Sequence, residues 1–486
     1  MVGQSSKNIG GLAAKRRRKT WIAIGVTFAV LLVAGAVVLV TVKPWTDEFR
    51  HGGLTTAAPP APVAPTPRVR PAPDNARTPT AAGVAAALAP VVGNPDLGAF
   101  TGSVTDAATG AVLWASDPSK PQIPSSTAKI LTTSAALLAL PGDHRVITRV
   151  VTGAAPNELV FVGGGDPTLT AQPDGKGYYP NGPRLSDLVD QIRASGRQVD
   201  TIVVDTSAYA GPTMAPGWDP VDIREGSIAP IESVMIDGGR LDPLVEYSPR
   251  TPTPALDAGR RLAVELGLDP AKVRLGNAAP GATEVASVRS APLRDRLRDT
   301  MVHSDNVLAE TIGREIAVAT GNPASFDGAV VALNAVLGKA GFDLTGMGMH
   351  DNSGLSVDDR VPARLLDRIL ATAARPNAVA VTPTGATTAA DPDRLTATLA
   401  PMLDDLPVAG ATGSLTSRYV HRDRAAAGWV RAKTGTLSVS STLVGYVLDA
   451  DGRVLTFALM SNDRPPEVSR PALDAIAGTL RNCGCS

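Results

Sequence analysis

The 486-residue sequence predicts an α/β protein of the α+β type, in which helices cover an antiparallel sheet built from both ends of the chain. Three observations lead to this prediction. Two strand-like runs flank a turn at 106–110, a second pair flanks a turn at 449–453, and apolar residues recur at helical spacing after residue 290. The segment 149–289 alternates short β-like runs with Gly and Pro turns, which predicts an inserted, mostly β domain.

The N-terminus carries a membrane signal. Five basic residues, 15–19, precede 22 uncharged residues, 21–42, which as a helix are long enough to cross about 30 Å of hydrocarbon. The positive-inside rule predicts a cytoplasmic segment 1–20 and an exported chain after Val42. A cleaved signal peptide is the alternative. An uncleaved anchor is favoured because the apolar run is longer than usual and no small-residue cleavage site follows closely.

Residues 43–81 are rich in Pro, Ala and Thr and predict an extended linker, so that the folded part begins near residue 82. Acidic and basic residues number 46 each, and this balance gives no argument for a nucleic-acid partner. Cys483 and Cys485 lie in the tail 483–486, where an intrachain disulfide, a bond to another chain and free thiols all remain open. Two cysteines are too few for a zinc site, and no metal is predicted.

The first catalytic candidate follows the first predicted hairpin directly. Pro124 and Ser125 indicate the entry of a helix that continues through the apolar run 130–140, which places Ser126 in the first turn. Lys129 lies one turn further on the same face, so its amine can approach the Ser126 hydroxyl. A serine beside an amine of lowered pKa can act as a nucleophile. A helix cap followed by an exposed lysine is the alternative that these residues alone leave open.

The second candidate is a polar interruption between two apolar helical segments. Ser304, Asp305 and Asn306 stand there, either as an ordinary helix junction or as a short loop that presents a hydroxyl and an amide to a cleft.

The triple glycine 163–165 is not a further candidate. It lacks the lysine and helix entry of a phosphate loop and predicts a tight turn.

The third candidate is the run 431–437, which precedes the second hairpin and predicts a strand. Alternation places Thr434 and Thr436 on one face, Gly435 leaves the backbone open to close approach by a ligand, and Lys433 adds positive charge. A polar edge strand with a solvated lysine is the alternative reading of any one of these residues.

Taken in order, Ser-x-x-Lys, Ser-Asp-Asn and Lys-Thr-Gly resemble the active-site signature of penicillin-recognising serine enzymes. The chain from about 85 to 480 resembles the D-alanyl-D-alanine carboxypeptidase/endopeptidase family, the type-4 low-molecular-mass penicillin-binding proteins. Further stretches similar to this family are 165–169, 215–218, 351–356 and 413–415. The resemblance implies a penicillin-binding/serine β-lactamase-like transpeptidase domain, formed by 82–148 and 290–482 around the insertion 149–289.

The resemblance also implies catalytic roles. Ser126 would be the acylated nucleophile and Lys129 the general base that removes its proton. Ser304 and Asn306 would complete the hydrogen-bond network and relay the proton to the leaving amine. Lys433 would supply positive potential.

Substrate-binding roles follow from the same resemblance. Thr434 and Thr436, on either side of Gly435, would hold the terminal carboxylate of the substrate. The backbone amides of Ser126 and Thr436 would form the oxyanion hole. Asp222 resembles the acidic residue that in some members meets the amino group of the peptide's diamino acid.

Two positions depart from the family pattern. An aromatic residue often follows the acidic residue by five positions, but Ser227 stands there. Asn352 occupies the place of the usual glycine in an Asp-Gly-Ser motif. Both departures concern side-chain specificity.

Together these features predict a serine-type D-Ala-D-Ala carboxypeptidase/endopeptidase that cleaves peptidoglycan stem peptides through a Ser126 acyl-enzyme, with β-lactam antibiotics as covalent inhibitors and the membrane as a further partner through the N-terminal helix. No cofactor is expected, and the five histidines occupy no recognised triad context. A β-lactamase or esterase on the same scaffold is the alternative within the enzyme class. A non-catalytic cell-wall binding protein is the third possibility.

Overall fold

The structure, a computed structural model, describes residues 31–44, 46, 76–376 and 392–485; the stretches 76–376 and 392–485 lie in one compact unit. The strands of this unit, in chain order, are β1 (Ala99–Asp106), β2 (Val112–Ser116), β3 (Pro121–Gln122), β4 (Ile147–Thr152), β5 (Glu158–Val162), β6 (Thr201–Asp205), β7 (Arg274–Leu275), β8 (Glu284–Arg289), β9 (Val361–Pro362), β10 (Val430–Leu437), β11 (Ser440–Leu448) and β12 (Val454–Asn462). The helices are α1 (Ala81–Val92), α2 (Lys129–Ala139), α3 (Leu185–Ala194), α4 (Val221–Arg224), α5 (Pro254–Leu266), α6 (Leu293–Val302), α7 (Asn306–Ala319), α8 (Phe326–Lys339), α9 (Ala363–Ala373), α10 (Pro392–Leu399) and α11 (Pro466–Asn482).

An antiparallel five-stranded sheet, ordered β10-β11-β12-β1-β2, joins the two ends of the folded chain. Ala99 of β1 lies opposite Asn462 of β12, and Asn462 in turn lies opposite Ser440 of β11. The two predicted hairpins therefore form and pair with each other, which confirms the sheet expected from the sequence. The segment after β2, which carries Ser126, is brought beside β10, which carries Lys433.

Both faces of this sheet are buried because alternate side chains of a strand enter two different cores. On β12, Phe457 and Leu459 pack with α1 and α11, whereas Ala458 and Met460 pack with the helical cluster α2, α6, α7, α8 and α9. Asp367 of α9 accepts hydrogen bonds from three hydroxyl groups of β1 and β12, which ties the cluster to the sheet. The sheet is thus a rigid central layer on which the cleft is built.

A second five-stranded sheet is built from residues 147–289 in the order β7-β6-β5-β4-β8. The pairs β5–β6 and β6–β7 are parallel, whereas β4 is antiparallel to both β5 and β8.

The expectation of a mostly β segment is wrong in one respect, because α3 and α5 pack on this sheet. The apolar residues of α3, which recur at i, i+3, i+4 and i+7, are Leu185, Leu188, Val189 and Ile192. This spacing predicts a helix, but the many Gly and Pro turns around it favoured the prediction of a β segment.

The predicted anchor 21–42 lies only in part within the described residues. Residues 31–42 are helical and exposed, and none of the helices in the described ranges is long and apolar enough to cross a membrane. The basic segment 1–20 and most of the linker 43–81 lie outside the described residues. At the other end of the chain, Cys483 and Cys485 are joined by a disulfide.

Candidate active site

Ser126 lies in a 3₁₀ turn, Ser125–Ala128, that leads directly into α2. The sequence predicted the first turn of the helix itself, so the helix begins three residues later than expected. The turn is fixed from both sides: Ser125 Oγ donates to Ser440 Oγ at 3.0 Å, and Thr127 Oγ1 donates to the carbonyl of Pro124 at 2.6 Å. The partly exposed Ser126 hydroxyl is therefore presented by a turn that has little freedom to move.

Lys129 is completely buried and connects the first two motifs. Its Nζ donates to Ser126 Oγ at 3.0 Å, to Asn306 Oδ1 at 2.6 Å and to the backbone carbonyl of Ser353 at 2.7 Å. Burial lowers the pKa of Lys129 from 10.5 to about 8, and the carboxylates of Asp351, Asp305 and Glu310 offset part of that lowering. The structure thus places beside Ser126 an amine that can lose its proton near neutral pH.

This pKa gives a pH prediction. A neutral Lys129 can accept the Ser126 proton and a charged one cannot, so the rate constant of acylation should rise with pH through about 8 and level off above it. The measurement is the acylation rate with a β-lactam between roughly pH 6 and 10, with unfolding monitored at each pH. A rate that stays flat or falls over this range would contradict the assignment of Lys129 as the base.

Ser304 and Asn306 stand at the junction of α6 and α7. Ser304 has a left-handed backbone (φ +57°), and Asp305 caps α7 by accepting a hydrogen bond from the amide of Leu308. Asn306 uses both ends of its amide: Oδ1 accepts from Lys129, and Nδ2 donates to the carbonyl of Ser227 at 2.9 Å. Of the two alternatives for this stretch, the loop that faces a cleft is the one observed.

Lys433 and Thr434 lie on β10, on the other side of Ser304. The fully buried Lys433 donates from Nζ to Ser304 Oγ at 2.8 Å and to the carbonyl of Thr434 at 2.8 Å. Burial, with the charge of Lys129 as a second cause, holds the pKa of Lys433 well below its ordinary value. Thr434 Oγ1 donates to Ser414 Oγ at 2.7 Å, so the predicted stretch 413–415 also lies at the site.

Gly435 serves a different purpose from the one predicted. A Cβ added there would lie 2.8 Å from the carbonyl oxygen of Pro124 and from Ser125 Cβ, and would also collide with Thr442 Oγ1. The open side of Gly435 is therefore occupied by the serine-bearing turn and not by a ligand. Its lack of a side chain allows β10 and this turn to approach each other closely.

Gly435→Ala should displace the turn that carries Ser126. We expect it to lower the free energy of unfolding by about 1–3 kcal/mol, as overpacking does. Acylation should slow by about 100-fold, because a small misplacement of reacting groups costs about that much. Denaturant unfolding and β-lactam acylation rates measure the two effects. Gly142→Ala is the control because a Cβ there meets nothing within 4 Å, and a Gly435→Ala variant that acylates at the wild-type rate would refute the packing argument.

Asp222 is half-buried and lines the same cleft as Ser126. Burial raises the pKa of its carboxyl. Its backbone carbonyl accepts a hydrogen bond from the amide of Ser227 at 2.9 Å, and the carbonyl of Ser227 accepts from Asn306. The stretch that includes Asp222 is thus attached to the Ser-Asp-Asn loop. The structure shows no ligand contact for the Asp222 carboxylate, so its role stays a prediction.

The loop 351–356 has a larger part in the site than the sequence indicated. Asp351 accepts hydrogen bonds from Trp218 Nε1 at 2.7 Å and from the amide of Gly354 at 2.6 Å. These bonds fold the loop so that the carbonyl of Ser353 faces Lys129. A backbone carbonyl leaves no residue-type signal, so sequence reasoning could not find this contact. The unusual Asn352 is accommodated because Gly313 of α7 has no side chain against it.

The three motifs meet in one cleft with a cavity volume of about 1170 Å³. Predicted residues that line it are Ser126, Asp222, Ser304, Asn306, Thr434 and Thr436. Residues that the sequence did not single out include Tyr178, Arg240, Tyr247, Arg250, Arg418 and Arg470. Arg240 forms an ion pair with Asp305 at 3.0 Å and stacks over Tyr178 at 3.8 Å. The positions of Arg240 and Tyr178 depend on the tertiary fold of 147–289, which no local pattern encodes.

The site thus holds a serine 3.0 Å from a buried lysine, with a second serine–lysine pair facing it. The sequence model of the D-Ala-D-Ala carboxypeptidase 3 (S13) family matches residues 84–251 and 244–483. The chain belongs to this family. Among S13 relatives, carboxypeptidase DacB of Mycolicibacterium smegmatis is 48% identical over 96% of this chain and 98% of its own length. A carboxypeptidase of Mycobacterium tuberculosis is 47% identical over 97% and 98%, respectively.

A solved structure supports the fold. Penicillin-binding protein 4 of Haemophilus influenzae superposes with a TM-score of 0.65 at 19% identity, and the match covers 82% of this chain and 98% of that protein. The sequence-based assignment to the D-alanyl-D-alanine carboxypeptidase/endopeptidase family is therefore confirmed, as is the α+β fold with its antiparallel sheet.

Proposed function

We propose that the protein is a serine-type D-Ala-D-Ala carboxypeptidase/endopeptidase that cleaves peptidoglycan stem peptides. The observation that carries the proposal is the hydrogen bond of 3.0 Å between Lys129 Nζ and Ser126 Oγ, made by a buried amine of lowered pKa. A helix cap with a solvated lysine would show neither the burial nor the contact. The family membership and the names of the mycobacterial relatives support the substrate class.

In the proposed acylation step, Lys129 takes the proton of Ser126 as Oγ attacks the carbonyl carbon of the penultimate D-alanine. The oxygen of that carbonyl gains negative charge, which the backbone amides of Ser126 and Thr436 would stabilise by about 3 kcal/mol for each donor. The C–N bond then breaks, and the leaving amine needs a proton. Ser304 can donate one because its oxygen accepts from Lys433, which leaves its own hydrogen free to point elsewhere. The proton that Lys129 took from Ser126 replaces it, so that Ser304 is again a hydroxyl and Lys129 is neutral before deacylation.

Deacylation uses the same groups, with water in place of Ser126 as the nucleophile. Water attacks the ester carbonyl of the acyl-enzyme, Lys129 accepts a proton from the water, and Ser126 Oγ leaves with a proton returned through the same network. Asn306 holds Lys129 in place throughout, because its Oδ1 accepts from Nζ while its Nδ2 is fixed by Ser227. With a β-lactam in place of the peptide, the same attack opens the ring and gives a covalent penicilloyl-type ester.

We also propose the arrangement of the chain at the membrane. The uncharged run 21–42 acts as a single uncleaved anchor, the basic segment 1–20 stays in the cytoplasm, and residues 43–81 form the tether. The catalytic part then lies outside the membrane, where peptidoglycan is found. Its sheet-bearing segment 149–289 is proposed to be an inserted domain between 82–148 and 290–482.

The test of the proposed activity is a mass-spectrometric assay of the full-length protein in detergent with defined monomeric and cross-linked muropeptides. Loss of one D-alanine from monomers, or separation of cross-linked dimers, is the expected result, and Ser126→Ala should show neither. A wild-type protein that leaves both substrates intact would overturn the proposal.

The same preparation separates the alternatives. A long-lived acyl-enzyme with penicillin agrees with a DD-peptidase, whereas rapid turnover of the β-lactam without muropeptide cleavage would favour a β-lactamase. A cell-wall phenotype rescued equally by wild type and Ser126→Ala would favour a non-catalytic binding protein.

A further inference from the structure

Arg470, on the second turn of α11, reaches the cleft from the side opposite the helical cluster. Its Nε donates to Thr436 Oγ1 at 3.2 Å, and its side chain lines the same cleft as Ser126. The contact joins the C-terminal helix to the end of β10. None of the three sequence motifs includes this arginine.

The guanidinium of Arg470 forms no ion pair within the described parts of the chain, although the charges of Glu467 and Asp474 are near enough to favour its charged form. Asp474, one turn further along the helix, is engaged by Arg418 through two bonds of 2.9 and 2.6 Å. Glu467, one turn earlier, makes no ion pair with it among the described residues. The terminal Nη1 and Nη2 groups of Arg470 therefore have no hydrogen-bond partner among those residues, while its Nε holds the side chain beside Thr436.

The other arginines of the cleft are already committed. Arg240 is paired with Asp305, and Arg250 donates to the backbone carbonyls of Gly226 and Gly238. Arg240 and Arg250 are buried residues, 7% and 5% exposed, whereas Arg470 is exposed and lines the cleft. Among these arginines, Arg470 is thus the one whose terminal Nη1 and Nη2 groups are available to a ligand in the described parts of the chain.

Lys433, the cation expected at this place, is poorly suited to meet an anion directly. It is 0% exposed, and its Nζ is bonded to Ser304 Oγ and to the carbonyl of Thr434. Burial also disfavours its charged form, since its pKa is held well below the ordinary value. A cation on the substrate side of β10 must therefore come from another residue.

We propose that Arg470 binds the free carboxylate adjacent to the scissile amide of the substrate, together with the Thr436 hydroxyl. The inference rests on the proposed DD-peptidase function. In a peptide that ends in D-Ala-D-Ala, the terminal carboxylate lies within about 4 Å of the scissile carbonyl carbon, given the reach of one residue. Ser126, Thr436 and Arg470 line the same cleft, so an anion at that distance can reach the strand end that carries Thr436.

The chemistry of the side chain suits this ligand. A guanidinium offers parallel N–H donors that match the two oxygens of a carboxylate, and such charge-assisted pairs are among the strongest hydrogen bonds in proteins. Thr436 Oγ1 accepts from Arg470, so its own hydrogen remains free to donate to the same carboxylate. Arg470 thereby acts on specificity: it favours leaving groups that carry a carboxylate next to the amine.

The experiment compares two matched peptides, one ending in D-Ala-D-Ala with a free carboxylate and one with a C-terminal amide. The full-length enzyme and its Arg470→Gln and Arg470→Lys variants are assayed on both. Arg470→Gln should lower kcat/KM about tenfold on the carboxylate peptide and leave the amide peptide within twofold, with Arg470→Lys in between. A matched pair of peptidyl-D-alanyl-D-lactate esters, whose bond is more reactive, keeps the rates measurable if the amide peptide is cleaved slowly.

Arg464→Gln is the matched control. Arg464 is exposed, lies six residues earlier in the chain and does not line the cleft, so both peptides should be cleaved at wild-type rates. Equal losses on both peptides with Arg470→Gln would show a structural role and overturn the inference, as would no loss on either. If the wild-type enzyme cleaves no D-Ala-D-Ala substrate, the proposed function fails and the inference fails with it.

Discussion

Lys129→Met is expected to slow the acylation of Ser126 by about 10²- to 10⁴-fold, the range that a positioned general base contributes. Methionine keeps the apolar length of the side chain but removes the amine that contacts Ser126 Oγ at 3.0 Å. It also leaves Asn306 Oδ1 and the carbonyl of Ser353 without their partner. The measurement is the second-order rate constant of acylation by a fluorescent penicillin.

The control distinguishes the loss of a base from the loss of a fold. Lys120→Met changes an exposed lysine nine residues earlier and should acylate at the wild-type rate. The residual rate of Lys129→Met should also lose its rise with pH through about 8, which a merely structural defect would not cause. A Lys129→Met variant that is folded and acylates within a few-fold of wild type would remove Lys129 from the mechanism.

Asp305→Ala is expected to lower the free energy of unfolding by about 3–5 kcal/mol, the usual cost of breaking a buried ion pair by removing one partner. Asp305 and Arg240 are 2% and 1% exposed in their side chains, and Asp305 also accepts from Tyr179 Oη at 2.7 Å. Removing the carboxylate would leave the Arg240 charge buried without its partner. The acylation rate should fall as well. Asp305 lies between Ser304 and Asn306 and caps α7, so its loss would displace both residues.

Denaturant unfolding of Asp305→Ala, Arg240→Ala and the double variant isolates the pairwise energy. Tyr179→Phe is the control because it keeps the ion pair and removes only the two hydrogen bonds of the Tyr179 hydroxyl, one donated to Asp305 and one accepted from Arg240, each worth about 1 kcal/mol. The partners of Asp305, Arg240 first among them, outweigh burial and hold its pKa below the ordinary value. Its stabilising contribution is therefore present above about pH 4 and is lost as the pH falls further. Additive losses in the double variant would show that the pair does not couple.

The sequence predicts the sheet and the three motifs well because each has a local signal. Hairpins at 99–116 and 440–462 show apolar strands around short polar turns, and Ser-x-x-Lys depends on a one-turn spacing that any helix start provides. The three motifs converge because β1 pairs with β12, which brings the two ends of the folded chain into one sheet.

The sequence does not predict contacts between residues that are far apart in the chain and share no helical or strand periodicity. The carbonyl of Ser353 meets Lys129 only because Asp351 and Trp218 fold their loop, and Arg470 meets Thr436 only because α11 crosses the end of β10. Gly435 is a second example of a contact that the sequence does not predict. Its sequence context suggests an open approach for a ligand, yet the space is taken by the serine turn.

We expect Ser126, activated by Lys129, to be the residue that becomes acylated. The most direct measurement is to treat the full-length protein with penicillin, digest it and locate the adduct by tandem mass spectrometry, with Ser126→Ala in parallel. The expected result is a single penicilloyl ester on Ser126 in the wild type and none in the variant. An adduct on another residue, or equal labelling of Ser126→Ala, would contradict the account.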